Sequence, residues 1–120
     1  MSKQKRQGTA WEQEIIARAQ AEGLEAWPLA RRGPSDPGDV VIRSSSGDCV
    51  VVEARDRQRM SVHPELAEAK GQTARADLPF IPWMTVIAWK RLGLKEGNVR
   101  RSQVGEPVVV LGFDDFLGML

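Results

Sequence analysis

The stretch at residues 39–55 reads DVVIRSSSGDCVVVEAR, and it decides the fold. Its outer parts, residues 39–43 and 49–54, are rich in β-branched side chains, which favour extended strands. Between them, residues 44–48 supply serines, a glycine and an aspartate, a composition typical of a turn. We therefore predict a β-hairpin near the middle of the chain.

A hairpin with Ser46 at its tip would place Asp39 directly opposite Glu53. Because side chains alternate along a strand, Arg55 would share the face of these two carboxylates. The other face is wholly apolar and is predicted to be core; it carries Val40, Ile42, Val50, Val52 and Ala54. A slip of one residue in the register would send Asp39 to that apolar face.

The opposed carboxylates need a positive partner. Their Cβ atoms would lie about 4.5–5.5 Å apart, and like charges so placed are destabilising. Arg55 could supply the charge in a salt bridge at the end of the sheet. A divalent cation could supply it too, since magnesium is commonly held by one or two carboxylates with waters and phosphate oxygens. The hairpin by itself leaves both interpretations open.

An amphipathic helix is predicted before the hairpin. Thr9 and Glu12 match a capping box, in which Thr9 caps the helix and Glu12 reaches back, so the helix should begin near Thr9. Its apolar stripe consists of Trp11, Ile15, Ile16 and Ala19, and Gly23 ends it. Residues 1–7 are predicted to form a flexible basic arm.

The rest of the chain continues the alternation of strands and helices. The predicted elements are a short strand at 24–29, a loop at 31–38, a second helix from Pro64 to about Ala76, a buried strand at 83–89, a strand at 107–111 and a helix at 116–120 capped by Asp114 or Asp115. The order is αβββαββα. It predicts one α/β domain spanning residues 1–120, with a mixed central β-sheet flanked by helices.

Composition excludes several classes of protein. The 120 residues are 42% hydrophobic and 28% charged, as in ordinary globular domains, and no apolar run approaches the roughly 20 residues of a membrane span. Residues 1–7 lack the apolar stretch of a signal peptide. The single cysteine, Cys49, can form neither an internal disulfide nor a cysteine zinc cage. We expect a cytoplasmic protein without membrane partners.

The net charge of +1 does not by itself indicate a nucleic-acid-binding protein, but the basic residues are clustered. The clusters lie at residues 3–6, 31–32, 55–59, 90–95 and 100–101. Folding could bring them to one face suited to phosphates. Ordinary solvated loops would explain each cluster taken singly about as well.

The acidic pair and its surroundings resemble the PD-(D/E)XK nucleases. In that family an acidic residue enters one strand, and Glu or Asp, any residue and Lys follow on the next; here Asp39 and Glu53-Ala54-Arg55 occupy these positions. The N-terminal part is similar to archaeal-type Holliday-junction resolvases in four residues, Arg6, Gly8, Thr9 and Glu12. Small resolvase-like proteins of phages and actinobacteria show the same layout, with a Lys90-Arg91 pair ending the central strand. The resemblance extends over roughly residues 6–117.

The resemblance implies a restriction-endonuclease-like fold and hydrolysis of DNA with one or two Mg²⁺ ions, for which Mn²⁺ could substitute. It makes Asp39 and Glu53 metal ligands, together with the backbone carbonyl of Ala54, and adds Glu12 to the catalytic residues. For Glu12 the capping role competes with the catalytic one. Arg55 departs from the family lysine. A guanidinium does not give up its proton and therefore cannot act as a general base, but it can orient water or clamp a phosphate.

Further residues are predicted to bind DNA. They are Arg6, Arg31, Arg32, Ser35, Gln72, Lys90, Arg91, Lys95, Arg100 and Arg101. Ser35 is better explained as a turn residue, whereas Gln72 is explained about equally well as part of a solvated helix surface. The loop around Lys95 could contact a DNA backbone or simply be the tip of a hairpin.

The function expected from these observations is structure-specific DNA cleavage, in the form of a Holliday-junction resolvase acting in recombination. Symmetric cutting of a four-way junction needs two active sites, which a homodimer supplies. The alternatives are a restriction or repair nuclease acting on duplex, flaps or ends, and an inactive DNA-binding module of the same fold. A phage-encoded protein would work in the cytoplasm of its host.

Overall fold

A computed structural model describes residues 3–29, 39–56, 61–91 and 106–120, with side chains described from residue 10 onward. The elements are α1 (Lys3–Ala21), β1 (Glu25–Pro28), β2 (Asp39–Arg43), β3 (Cys49–Arg55), α2 (Val62–Arg75), β4 (Pro82–Trp89), β5 (Val108–Val110) and α3 (Phe113–Met119). The expected loop at 31–38 falls outside the described residues.

The strands form one five-stranded sheet in the order β1-β2-β3-β4-β5. Strands β1, β2 and β3 are antiparallel neighbours, β3 and β4 are parallel, and β5 is antiparallel to β4. Helix α2 connects the two parallel strands, as parallel pairing requires a long crossover. The expectation of an α/β protein with a mixed sheet and flanking helices is thereby confirmed.

The register of the β2–β3 hairpin is the one predicted from the sequence. Asp39 pairs with Glu53, and Arg43 pairs with Cys49 at the other end. The turn is closed by backbone hydrogen bonds of 2.7 Å from Ser44 N to Asp48 O and of 2.9 Å from Gly47 N to Ser44 O. Gly47 has a φ of +94°, which glycine adopts without the steric cost that a Cβ would add. The turn therefore fixes which side chains share a face.

Helix α1 covers one face of the sheet, called here the α1 face. Its buried core joins Trp11 and Ile15 of the helix to Val40, Val52, Ala54, Met84, Val86 and Ala88 of the strands. Ile42 and Val50 pack at its margin. All five residues predicted as the apolar face of the hairpin thus lie here, and burial of this surface stabilises the fold.

Helix α2 covers the opposite face, called here the α2 face. Ala69 packs there against Ile87 and Trp89 of β4, with Leu66 at the margin. In β3, Glu53 pairs with Ile87 and Arg55 pairs with Trp89, so the two charged side chains lie among buried apolar neighbours. Strand β4 is predicted to be buried on both sides, and its residues from Met84 to Trp89 are all buried.

The predicted starts of all three helices are wrong. Helix α1 begins at Lys3, so Thr9 lies inside it and is not its cap, and residues 3–7 are helical where an arm was expected. Helix α2 begins at Val62 with Ser61 as N-cap, so Pro64 stands third. Helix α3 begins at Phe113 after Gly112, and its two aspartates occupy the first turn. Lysine, glutamine and arginine are good helix formers, and proline is tolerated throughout a first turn, where it removes no intrahelical hydrogen bond.

Among the described residues, no helix combines the length and the apolarity that a membrane span requires. Large apolar side chains are nevertheless exposed near the C-terminus. Phe113 is 72% exposed, and Val109, Phe116, Leu117, Met119 and Leu120 are exposed as well.

Candidate active site

The predicted carboxylate pair lies where β2 begins. Asp39 is the first residue of β2, and its carbonyl accepts a hydrogen bond of 3.0 Å from Leu29 N, the residue that follows β1. Glu53 lies across from it on β3, the central strand, and is only 2% exposed. Because directly paired residues point to the same face, both carboxylates belong to the α2 face.

The two carboxylate oxygens of Glu53 have different surroundings. Oε1 accepts a hydrogen bond of 2.5 Å from Arg55 Nη2, in a buried ion pair. Oε2 is also buried and has no hydrogen-bond partner among the described residues. Burial raises the pKa of Glu53, against the opposing effect of Arg55, and Glu68 and Glu65 add repulsion that raises it further.

Arg55 is held by several acceptors at once. Besides Glu53, its Nε donates to Glu65 Oε1 at 3.1 Å, and its Nη1 makes a long contact of 3.4 Å with Ala54 O. The side chains of Arg55 and Glu65 are 8% and 15% exposed. The salt bridge that the sequence offered as one partner of the acidic pair therefore exists, and Glu65 joins it from α2.

The surroundings of Glu53 suit a divalent cation. A buried carboxylate oxygen without a hydrogen bond is costly, and a cation would satisfy it. Carboxylate oxygens are the donors that Mg²⁺ prefers. Among the described residues, no three side chains of the His, Cys, Asp and Glu types are grouped so that they could hold a metal ion. An ion held by Asp39 and Glu53 would therefore complete its shell with water or with substrate oxygens.

The two remaining residues assigned to the site by the resemblance are Glu12 and Ala54. Glu12 is 7% exposed on α1, next to Trp11, and it is not the N3 residue of a capping box because α1 starts nine residues earlier. Its alternative role as part of a cap is thereby excluded. The carbonyl of Ala54, the predicted third ligand, is already contacted by Arg55.

Two of the predicted DNA-binding residues, Lys90 and Arg91, follow β4 directly. Lys90 Nζ lies 3.0 Å from Glu14 Oε1 and 5.5 Å from the centre of the Trp11 ring. Arg91 Nε lies 2.6 Å from Asp56 Oδ1. Both cations are thus engaged with carboxylates of the protein, and a phosphate would have to compete with these partners.

The other predicted DNA-binding residues are less informative. Gln72 lies on α2 and donates to Glu68 Oε1 at 3.5 Å. Arg6 lies in α1, where its side chain is not described. Arg31, Arg32, Ser35, Lys95, Arg100 and Arg101 lie outside the described residues.

Sequence reasoning missed Glu65 and Asp56. Glu65 follows Pro64 in the first turn of α2, where an acidic residue is favourable for the helix whatever it contacts. Asp56 follows Arg55 directly and lies within the basic cluster at residues 55–59, which was interpreted through its positive charges. In neither case does the local sequence show that a carboxylate meets an arginine distant in the chain.

Comparison of the chain with protein family models, with curated proteins and with solved structures gave no match.

Proposed function

We propose that this protein is a metal-dependent DNA endonuclease that cuts four-way junctions. One observation carries the proposal: Asp39 and Glu53 are paired across β2 and β3, and a buried oxygen of Glu53 has no hydrogen-bond partner among the described residues. Such a pair is suited to a hard cation. The restriction-endonuclease-like fold is part of the proposal, and the mixed sheet between α1 and α2 is compatible with it.

Asp39 and Glu53 would hold the ion, Mg²⁺ or in its place Mn²⁺. When bound, such an ion supplies a more acidic water and neutralises charge on phosphoryl oxygens. A guanidinium such as that of Arg55 is not suited to act as a general base. Its part is to keep one oxygen of Glu53 occupied and to supply positive charge beside the site.

The choice of a branched substrate and of a homodimer rests on the resemblance in sequence. Paired cuts in a four-way junction need two sites related by symmetry. The exposed apolar side chains of α3 are compatible with a protein contact, because large exposed apolar surfaces mark interaction sites. Light scattering with and without a junction tests the dimer, and a monomer in both conditions would contradict it.

The activity is tested with end-labelled four-way junctions and linear duplexes of matched sequence, each incubated with Mg²⁺, with Mn²⁺ or with EDTA. Paired nicks in the junction, dependent on the metal, are expected. Cutting of the duplex, of flaps or of ends would instead favour a restriction or repair nuclease.

The site is tested by Asp39→Asn and Glu53→Gln, which remove one charge each with little change of shape. Both should abolish cutting and leave junction binding intact. Asp77→Asn and Glu22→Gln are matched controls, because they make the same chemical changes on exposed residues and should cut normally. If either site variant keeps full activity, the site is wrongly assigned.

A second candidate is a DNA-binding module without catalysis. The observation that favours it is the state of Arg55, which replaces the family lysine and is surrounded by three acceptors of the protein itself. Binding of the junction without any cutting in Mg²⁺ or Mn²⁺ would support this candidate and exclude the enzyme.

A further inference from the structure

Glu65 has contacts that tie the start of α2 to the candidate site. Its Oε1 accepts from Arg55 Nε at 3.1 Å, and its Oε2 accepts from the backbone N–H of Ser61 at 3.2 Å. Its backbone N–H also donates to Ser61 O at 3.0 Å. The carboxylate is therefore fixed at both oxygens, and its position is set by the first turn of the helix.

The contact with Nε controls where the rest of the guanidinium points. The group is planar and rigid, so the direction of one N–H determines the directions of the others. With Nε held by Glu65, Nη2 reaches Glu53 Oε1 at 2.5 Å. Released from Glu65, the same flexible side chain could turn and donate to both oxygens of Glu53 in the bidentate manner that arginine prefers.

Charge balance alone does not account for Glu65. The buried pair of Arg55 and Glu53 is already neutral, and a further carboxylate beside it adds repulsion toward Glu53. A carboxylate in the first turn of α2 is favourable for the helix, and its well-formed contact with Arg55 also gives Glu65 the geometry to orient the guanidinium.

We propose that Glu65 is a positioning residue, which holds the Arg55 guanidinium on Oε1 of Glu53 so that Oε2 stays open to a divalent cation. Only the second half of this proposal, that Oε2 stays open to a divalent cation, rests on the proposed function. The orientation of Arg55 by Glu65 is a property of the protein without metal, and it can be measured whether or not the protein cuts DNA.

Three variants separate orientation from charge. Glu65→Ala removes both the charge and the acceptor, whereas Glu65→Gln removes the charge and keeps an acceptor oxygen. Glu68→Gln is the matched electrostatic control: Glu68 also repels Glu53, but its carboxylate accepts from Gln72. Circular dichroism and urea unfolding establish that each variant is folded.

The first measurement is the Nε–H signal of Arg55 in ¹⁵N NMR spectra of the metal-free protein, assigned by its loss in Arg55→Met. Slow exchange with solvent is expected in the wild type, in Glu65→Gln and in Glu68→Gln, and rapid exchange in Glu65→Ala. The same slow exchange in all four proteins, or rapid exchange in the wild type, would overturn the positioning role.

The second measurement is Mn²⁺ affinity by calorimetry. Glu65→Ala should bind about tenfold more weakly than Glu65→Gln, as expected for loss of a residue that orients the surroundings of a metal ligand. Glu65→Gln and Glu68→Gln should be alike. Equal affinities in Glu65→Ala and Glu65→Gln would contradict the proposal that orientation keeps Oε2 open. If the wild type binds no Mn²⁺, the metal-dependent function fails, and the NMR result alone decides the orientation of Arg55.

Discussion

Trp11 and Trp89 lie on opposite faces of the same sheet, and both are buried. Trp11 Nε1, on the α1 face, donates to Ala88 O at 3.0 Å. Trp89 Nε1, on the α2 face, has no hydrogen-bond partner among the described residues. Glu53 Oε2, on the same α2 face, is also buried without a hydrogen-bond partner among the described residues. One face thus satisfies its buried indole, whereas the other keeps two polar groups without a hydrogen-bond partner among the described residues, as is common at functional sites.

The buried ion pair gives the largest expected effect on the α2 face. Arg55→Met would leave Glu53 buried without its counter-charge and should lower the free energy of unfolding by about 3 kcal/mol at pH 8. At pH 5 the loss should be smaller, because protonation of Glu53 removes the uncompensated charge. Urea unfolding at the two pH values measures both.

The double variant Arg55→Met with Glu53→Gln provides the control for that prediction. It removes both charges, so it should recover much of the stability lost in Arg55→Met alone. If the two substitutions are simply additive, the buried charge of Glu53 is not the cause, and the contrast between the two faces loses its electrostatic basis.

Unlike most substitutions of a buried residue, Glu53→Gln alone should gain stability relative to the wild type as the pH rises. Burial raises the pKa of Glu53 above its ordinary value of 4.5, so the native state favours the neutral form. The stability that this provides is fully present below about pH 4.5 and is lost as the pH rises through the folded pKa. A glutamine does not ionise and avoids that loss.

The measurement is the difference in unfolding free energy between Glu53→Gln and the wild type at a series of pH values. The difference should move in favour of the variant as the pH rises, and then level off. Added Mn²⁺ should stabilise only the wild type, since a ligand that binds the native state stabilises it. A difference that moves toward the wild type with rising pH would show that Arg55 outweighs burial.

The geometry of the hairpin was predictable because it depends on local features. The turn sequence at residues 44–48 and the apolar alternation of β2 and β3 both favour one register, and this register pairs Asp39 with Glu53. Arg55 followed from the same alternation, since residues two apart on a strand share a face. These are short-range consequences of strand geometry.

Features that depend on tertiary packing or on competition between motifs were not predictable. The contact between Glu65 and Arg55 needs the docking of α2 on the sheet, which the sequence near Glu65 does not encode. The start of α1 was missed because Thr9 satisfies a capping motif, yet six residues before it can also be helical. A motif shows where a helix can begin, but it does not prevent the helix from beginning earlier.

The same substitution on both faces measures the difference between the two tryptophans. Trp11→Phe and Trp89→Phe remove equal volume, but among the contacts of the described residues only the first loses a hydrogen bond. Trp11→Phe should therefore cost about 1 kcal/mol more than Trp89→Phe in urea unfolding. Equal costs would mean that the indole of Trp89 is satisfied by a group outside the described residues.

The smallest effect is expected for Glu14, which pairs with a cation near the surface instead of in the interior. The hydrogen bond from Lys90 lowers the pKa of Glu14, with a contribution from Arg18 and partial opposition from burial. The resulting stability is present above the ordinary value of 4.5 and is lost as the pH falls through the folded pKa. Glu14→Gln should thus cost about 0.5 kcal/mol at pH 7, the magnitude of an exposed ion pair, and nothing at low pH.

The pH dependence of Glu14→Gln in urea unfolding should run opposite to that of Glu53→Gln. The pH dependence of the stability difference would then have opposite signs for the two glutamate–cation pairs, because one carboxylate is buried and the other is hydrated. The same sign for both variants would exclude burial as the cause.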